Sequence, residues 1–249
     1  MKTALITGAT SGIGKATARK LAQDFNLILC GRRAEKLEEI RAELAEITKV
    51  TTLKFDVRKK EEVFEVIDSL PANFRQIDVL VNNAGNAHGM ASFQDADIED
   101  LEAMIDGNVK GIIYVTKAVL PLMNASENAQ IVNISSISGK DIYPTGTTYC
   151  ASKWAVEALS KGMRMDLLSL GIKVINIAPG AVETEFSMVR FKGDADKSNS
   201  IYAGYQPLKP EDIAESIYFA IMQPENVQIA DLTVMPKSQA GVSQILRKS

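Results

Sequence analysis

Two hydrophobic rhythms alternate along the chain. Short, closely spaced apolar runs predict strands over 3–7, 26–30, 50–55, 77–81, 131–135, 173–178 and 231–235. Between them, apolar residues recurring every three or four positions predict helices over 13–23, 34–47, 60–70, 98–105, 109–123, 149–170 and 211–222. In the second helix Leu37, Ile40 and Leu44 share one face; Glu35, Lys36, Glu38, Glu39, Arg41, Glu43 and Glu46 take the other. Pro71 closes the third helix, and Gly171 suits a left-handed cap after 149–170. Runs such as Val79-Leu80-Val81 suit strands covered on both sides. Strand–helix alternation at this spacing predicts a single α/β domain, a doubly wound parallel sheet with helices on both faces. The least patterned stretch, about 185–207 with Gly193 and Gly204, reads as a mobile substrate lid.

Composition removes several alternatives. The 249 residues carry 28 Lys+Arg against 31 Asp+Glu, a net charge of −3, with 46% hydrophobic residues. That balance excludes a largely disordered chain. It also argues against a dedicated nucleic-acid binder, which needs a basic surplus to neutralise phosphates. His88 is the single histidine, so a His-rich metal site is excluded and His88 reads as an ordinary loop residue. Cys30 and Cys150 form no CxxC pair, and no metal is expected. The opening residues have too short an apolar run for a signal peptide, and no run approaches the roughly 20 residues of a membrane span. A cytoplasmic protein with no membrane or nucleic-acid partner is the expectation.

The candidate chemistry begins after the first strand, at Thr7-Gly8-Ala9-Thr10-Ser11-Gly12-Ile13-Gly14. Glycines let the backbone turn and let a pyrophosphate approach, and the following helix points its positive end at that anion. This is where a dinucleotide-binding fold needs such a loop. The end of the second strand selects the cofactor. An acid there would hold the 2′-hydroxyl of NAD. The chain instead reads Leu29-Cys30-Gly31-Arg32-Arg33. An arginine pairs bidentately with a 2′-phosphate, so NADP is expected, with Arg32 the first choice and Arg33 beside it.

Further motifs follow in order. Asn82-Asn83-Ala84-Gly85 ends the fourth strand, Ser136 follows the fifth, Tyr149-Cys150-Ala151-Ser152-Lys153 opens the long helix, and Pro179-Gly180 with Val182 and Thr184 ends the sixth strand. Together with the glycine loop, these resemble the short-chain dehydrogenase/reductase family over almost the whole chain. The resemblance implies a Rossmann-type sheet in the order 3-2-1-4-5-6-7 and a homo-oligomer, dimer or tetramer. It implies a catalytic tetrad of Asn108, Ser136, Tyr149 and Lys153. It places Gly8, Thr10, Ser11, Gly12, Ile13, Gly14 and the arginines on the cofactor, with Asp56 and Val57 by the adenine. Asn82, Ala84 and Gly85 fall by the adenosine ribose, Tyr149 and Lys153 by the nicotinamide ribose, and Pro179, Gly180, Val182 and Thr184 by the nicotinamide. It also suggests that the C-terminal tail closes a neighbour's pocket.

The residues themselves suit that chemistry. Oxidising a carbinol needs a base for the hydroxyl proton. A tyrosine's ordinary pKa of about 10 is too high for this. Lys153 lies one turn along the helix from Tyr149, and its ammonium is expected to lower that value. Ser136 donates to the substrate oxygen, and Asn108 sits at a helix irregularity suited to a relay water. Trp154 reads as a packing or subunit-interface residue, Cys150 as a small buried filler.

The runs Asn86-Ala87-His88-Gly89-Met90, Asp141-Ile142-Tyr143-Pro144-Thr145-Gly146 and 182–193 resemble, within the family, its NADP-dependent 3-hydroxy acid dehydrogenases, also described as serine 3-dehydrogenases or L-allo-threonine dehydrogenases. That implies oxidation of small 3-hydroxy acids (serine, allo-threonine, 3-hydroxyisobutyrate or 3-hydroxypropionate), or reduction of the matching semialdehydes. A carboxylate substrate needs a cation, and Arg190 is the candidate anchor, alongside Ser136 and Tyr149 as substrate contacts. Two alternatives stay open at this point: a 3-oxoacyl thioester or general carbonyl reductase, and a catalytically silent NADP-binding regulator.

Overall fold

Seven strands run parallel in one sheet, in the order β3-β2-β1-β4-β5-β6-β7. They are β1 (Lys2–Thr7), β2 (Phe25–Gly31), β3 (Val50–Lys54), β4 (Val79–Asn82), β5 (Gln130–Ile134), β6 (Lys173–Pro179) and β7 (Asp231–Val234). The computed structural model describes residues 1–123 and 128–247. The helices are α1 (Gly12–Leu21), α2 (Ala34–Leu44), α3 (Lys60–Asp68), α4 (Ile98–Ile105), α5 (Gly111–Val119), α6 (Thr147–Asp166), α7 (Glu185–Arg190), α8 (Ala195–Ser200) and α9 (Pro210–Ile221). Among the described residues no helix is long and apolar enough to cross a membrane.

Period-two alternation builds a core on each face. Ala4 and Ile6 of β1, Leu27 and Leu29 of β2, and Val79 and Val81 of β4 pack with Leu21, Leu37, Ile40, Ile213 and Ile217 of α1, α2 and α9. Their neighbours Leu5, Ile28, Leu80 and Ile131 turn the other way, onto Val63, Ile67, Val115 and Val119 of α3 and α5. Each such side chain contributes about 1.5–3 kcal/mol on burial. Register pairs Ile6 with Leu29 on one side and with Val81 on the other. β1 thus has β2 and β4 as neighbours, so the chain reverses its winding there and opens a crevice at the strands' carboxyl ends.

Three departures from the sequence reading have local causes. The helices expected over 98–105 and 109–123 are joined by a π-helical turn at Asp106–Lys110, and α5 gives way to a 3₁₀ turn containing Pro121. The long helix starts two residues early, at Thr147, and ends at Asp166; a 3₁₀ turn then reaches Gly171 at φ +67°. The stretch expected to be unpatterned carries α7 and α8. Thr184 caps the first by accepting from Phe186 N at 3.1 Å, and Asp194 caps the second by accepting from Lys197 N at 3.0 Å.

Candidate active site

A cleft of about 740 Å³ opens over the carboxyl ends of the strands. One wall is the loop between β1 and α1. Gly8 takes φ +67°, a left-handed conformation that favours glycine. Gly14 lies one helical turn in, where a Cβ would strike the Gly8 carbonyl and the Asn83 amide. The loop is therefore held against the start of α1, and the Ala9 N–H ties it to β2 by donating to the Cys30 carbonyl at 3.1 Å. Thr7 Oγ1 fastens it to the loop after β4, accepting from Asn83 N and Ala84 N at 3.0 Å each.

The two arginines are not equivalent. Arg33 turns into the loop, donating to Thr10 Oγ1 at 2.8 Å and Ser11 Oγ at 2.9 Å. Its other side meets Glu185 at 2.9 Å, and Lys36 reaches the same carboxylate at 3.1 Å. Arg32, expected to be the leading cation, has a side chain 62% exposed and lies 3.8 Å from Asp56. Burial pushes the Asp56 carboxyl up, but hydrogen bonds from Arg58 and the charges of Arg58 and Arg32 bring it below the usual range. No acid stands at the end of β2 to contest a 2′-phosphate, and cations flank the loop. This set fits NADP, and the tight glycine contacts leave room for a pyrophosphate over the start of α1.

Of the expected cofactor residues, Gly8, Thr10, Ser11, Gly12, Ile13, Arg32, Arg33, Asp56, Val57, Ala84 and Gly85 line the cleft. Pro179, Gly180, Val182 and Thr184 line it from the other side. Gly14 acts from beneath. Asn82 is a correction. It is 2% exposed, and its amide donates inward to Thr116 and Asn133 at 2.9 Å each. It is the last residue of β4, so strand alternation turns it into the protein, and Asn83 to Asn86 line the cleft instead.

Ser136, Tyr149 and Lys153 meet on the cleft floor. The Ser136 hydroxyl lies within hydrogen-bond reach of the Tyr149 phenol. Lys153 Nζ sits 5.9 Å from the Tyr149 ring centroid and donates to the Ile134 carbonyl at 3.0 Å. Asn108 lies in the π-helical turn, behind this floor. Its Oδ1 accepts from Asn86 N at 2.7 Å, and its Nδ2 donates to Asn86 O at 2.8 Å and Ser152 Oγ at 2.9 Å. The side chain is fully engaged with protein groups, holding the loop after β4 to α6.

The electrostatics differ from the sequence expectation. Burial pushes the Tyr149 phenol well above its ordinary value, with Tyr143 adding to the rise; Ser136 and Arg190 pull it down. Lys153, expected to supply that downward pull, is itself pushed down to about 8 by burial, against the opposing charge of Glu157. Both members of the pair are desolvated, so each resists its charged form.

Arg190 does reach the site. Its guanidinium carbon lies 5.5 Å from the ring centroids of both Tyr143 and Tyr149. It donates to Tyr143 Oη at 2.6 Å and to the Gly89 carbonyl at 3.3 Å. Among the described residues no acidic side chain forms an ion pair with it. Tyr143, Glu185, Tyr202 and Tyr205, which carry no site role in the sequence reading, also line the cleft. Val242, Ser243, Ile245 and Arg247 of the C-terminal tail, expected at a neighbour's pocket, line their own chain's cleft. Arg247 pins them there by donating to the carbonyls of Ile201 and Ala203. His88 lies in an adjoining cavity, its imidazole pushed below its ordinary value by burial.

The profile of the short chain dehydrogenase family matches residues 2–195. The NADP-dependent 3-hydroxy acid dehydrogenase of Schizosaccharomyces pombe is 44% identical over 251 residues, covering 99% of this chain and 97% of that protein. Sulfoacetaldehyde reductase 2 of Chromohalobacter salexigens is 45% identical over 238 residues, covering 95% and 94%. Among solved structures, the closed form of a serine dehydrogenase complexed with NADP+ matches with a TM-score of 0.92 at 40% identity, covering 99% of this chain and 100% of that one. The chain belongs to the short-chain dehydrogenases, a family of oxidoreductases.

Proposed function

We propose that this protein is an NADP-dependent oxidoreductase that interconverts small 3-hydroxy acids and their semialdehydes. The observation that carries the reading is Arg190, a guanidinium without an acidic partner among the described residues, whose carbon lies 5.5 Å from the Tyr149 ring centroid. The two named relatives act on compounds with one feature in common: a single carbon separates the reacting carbon from the acidic group. An anion at Arg190 with a reacting oxygen at Tyr149 would suit both kinds of substrate.

When bound, the nicotinamide takes up or returns a hydride. Tyr149 accepts the proton of the substrate hydroxyl in oxidation and returns it in reduction. Ser136 donates a hydrogen bond that holds the substrate oxygen beside the phenol. Lys153 would hold the nicotinamide ribose, and when protonated it favours the phenolate. Asn108 ties the loop after β4 to α6 and supports proton relay at the π-helical turn. Arg33, with Arg32 outside it, takes the 2′-phosphate. The segment 185–207 serves as the lid of a single domain, bringing Arg190 over the substrate. Exposed apolar residues on and just after α6, including Trp154, Met165 and Leu168, support a homo-oligomer. Two buried free cysteines suit a reducing, cytoplasmic setting.

The test is NADP+ reduction at alkaline pH with L-serine, L-allo-threonine, 3-hydroxyisobutyrate, 3-hydroxypropionate and a neutral secondary alcohol, each repeated with NAD+. Turnover on the acids, with NADP+ far ahead, is expected. Turnover on the neutral alcohol alone would overturn the carboxylate pocket, and normal turnover by Tyr149→Phe would overturn the role of the phenol.

A further inference from the structure

A line of alternating charge runs from the buried Lys153 and Glu157 to Lys140 and Asp231, whose side chains are 35% and 34% exposed, at the outer strand of the sheet. Glu157 lies one helical turn beyond Lys153 on α6, so the two side chains share a face. It is 5% exposed. Its Oε1 accepts from Asn176 Nδ2 of β6 at 2.8 Å, and its Oε2 accepts from Lys140 Nζ at 3.1 Å. Lys140 also donates to Asp231 Oδ1 of β7 at 2.8 Å, and Asn176 reaches Asp231 Oδ2 at 3.1 Å. Lys140 directly follows the 3₁₀ turn Ile137–Gly139 that comes after β5; Gly139 before it packs so closely on α6 that a Cβ would lie 3.0 Å from Glu157 Cγ.

Burying a carboxylate is costly unless its charge is balanced. Glu157, Lys140 and Asp231 together carry one net negative charge. The line becomes neutral only when Lys153 carries its proton. The other groups facing Lys153 are neutral: the Tyr149 phenol on its own helix, the Ile134 carbonyl on β5, and the Asn108 amide across Gly85. Burial drives the Lys153 amine toward its uncharged form, and Glu157 is the charge that opposes this.

We propose that Glu157 is a positioning residue for the active site: backed by Lys140 and Asp231, its carboxylate keeps the Lys153 amine protonated and seated beside Tyr149. The functional part of this inference rests on the reading of Tyr149 and Lys153 as the proton-handling pair.

The test is a pH titration of the Lys153 Cε resonance in the full chain labelled with ¹³C-lysine, assigned by its loss in Lys153→Met. The unsubstituted protein is expected to titrate near 8. Glu157→Gln should lower that midpoint by about one unit or more, the usual effect of losing a close opposite charge. Lys140→Met should raise it, because Glu157 then acts on Lys153 alone. The alkaline limb of kcat/KM for hydroxy acid oxidation should move in the same two directions. A purely structural role would lower thermal stability in both variants and leave the midpoint in place, and that result would overturn the proposal. If Glu157→Gln does not fold, Lys140→Met decides: a midpoint unmoved or lowered would equally overturn it. The titration needs no turnover, so a protein inactive on every hydroxy acid would refute the reading of the site without deciding the role of Glu157, which the midpoints decide on their own.

Discussion

The Arg190 guanidinium lies 5.5 Å from the ring centroid of Tyr149 while donating a 2.6 Å hydrogen bond to Tyr143. One cation on the 185–207 segment is thus placed both to take an anionic group and to favour the phenolate of the proposed acid/base.

Arg190→Ala should therefore do two separable things. It should raise KM for a 3-hydroxy acid by about 10- to 100-fold, as expected for charge-assisted hydrogen bonds worth about 1.5–3 kcal/mol. The KM of a neutral secondary alcohol should change far less. Loss of the cation also disfavours the phenolate, so the rise of the oxidation rate with pH should move to higher pH. Equal effects on both substrates in steady-state kinetics would remove the anchoring role.

Arg33→Ala should raise KM for NADP+ more than Arg32→Ala does. Arg33 is held against the loop by Thr10 and Ser11, whereas the Arg32 side chain is 62% exposed. Losing a bidentate phosphate contact of this kind costs on the order of 10-fold or more, and KM for NAD+ should stay within a few-fold. Paired kinetics with the two cofactors check this, and a larger loss at Arg32 would reverse the assignment.

Lys153→Met should abolish turnover yet stabilise the apoprotein at neutral pH. The folded-state value of Lys153 is depressed from 10.5 to about 8. The unfolded chain therefore binds the proton more tightly, and burial of this amine costs stability in full below about pH 8. The cost fades as pH rises from about 8 to 10.5, where the amine is neutral in both states. The stability gain of the Met variant should thus be larger at pH 6.5 than at pH 10.5, by on the order of 3 kcal/mol before the orphaned Ile134 carbonyl is counted. Chemical denaturation at the two pH values measures it; a pH-independent difference would contradict the depressed value.

Gly14→Ala should damage the cofactor loop without touching the tetrad. The added methyl strikes the Gly8 carbonyl, which is backbone and cannot swing aside. Overpacking of this kind costs about 1–3 kcal/mol. A lowered melting temperature and weakened NADPH binding by fluorescence titration are expected, and unchanged values in both would show that the loop has room to yield.

Much of this architecture is legible in the sequence. The seven strands and their parallel order follow from local periodicity and the resemblance, since a strand's alternation reports burial on one or both faces residue by residue. The glycine loop, Ser136, Tyr149 and Lys153 were equally readable, because backbone geometry and one-turn helical spacing are local properties. The helix joint at Asn108 was read as an irregularity, and it is a π-helical turn. The resemblance alone carried Asn82 to the cofactor: as the last residue of β4 it turns inward to Asn133, while Asn83 and Ala84 after it line the cleft.

By itself, then, the sequence determined the strand–helix rhythm, the place of the glycine loop and the residue types of the cleft floor, all of which depend on neighbours within a few positions. Tertiary structure alone decided that Arg33 rather than Arg32 is fastened to the loop, that Arg190 lies over Tyr149 with no acidic partner among the described residues, and that Glu157, one turn from Lys153, is bonded to Lys140 and Asn176. It also decided that burial, and not a nearby ammonium, dominates the titration of Tyr149. These outcomes depend on which side chains from distant segments are desolvated together, and no periodicity in one chain encodes that.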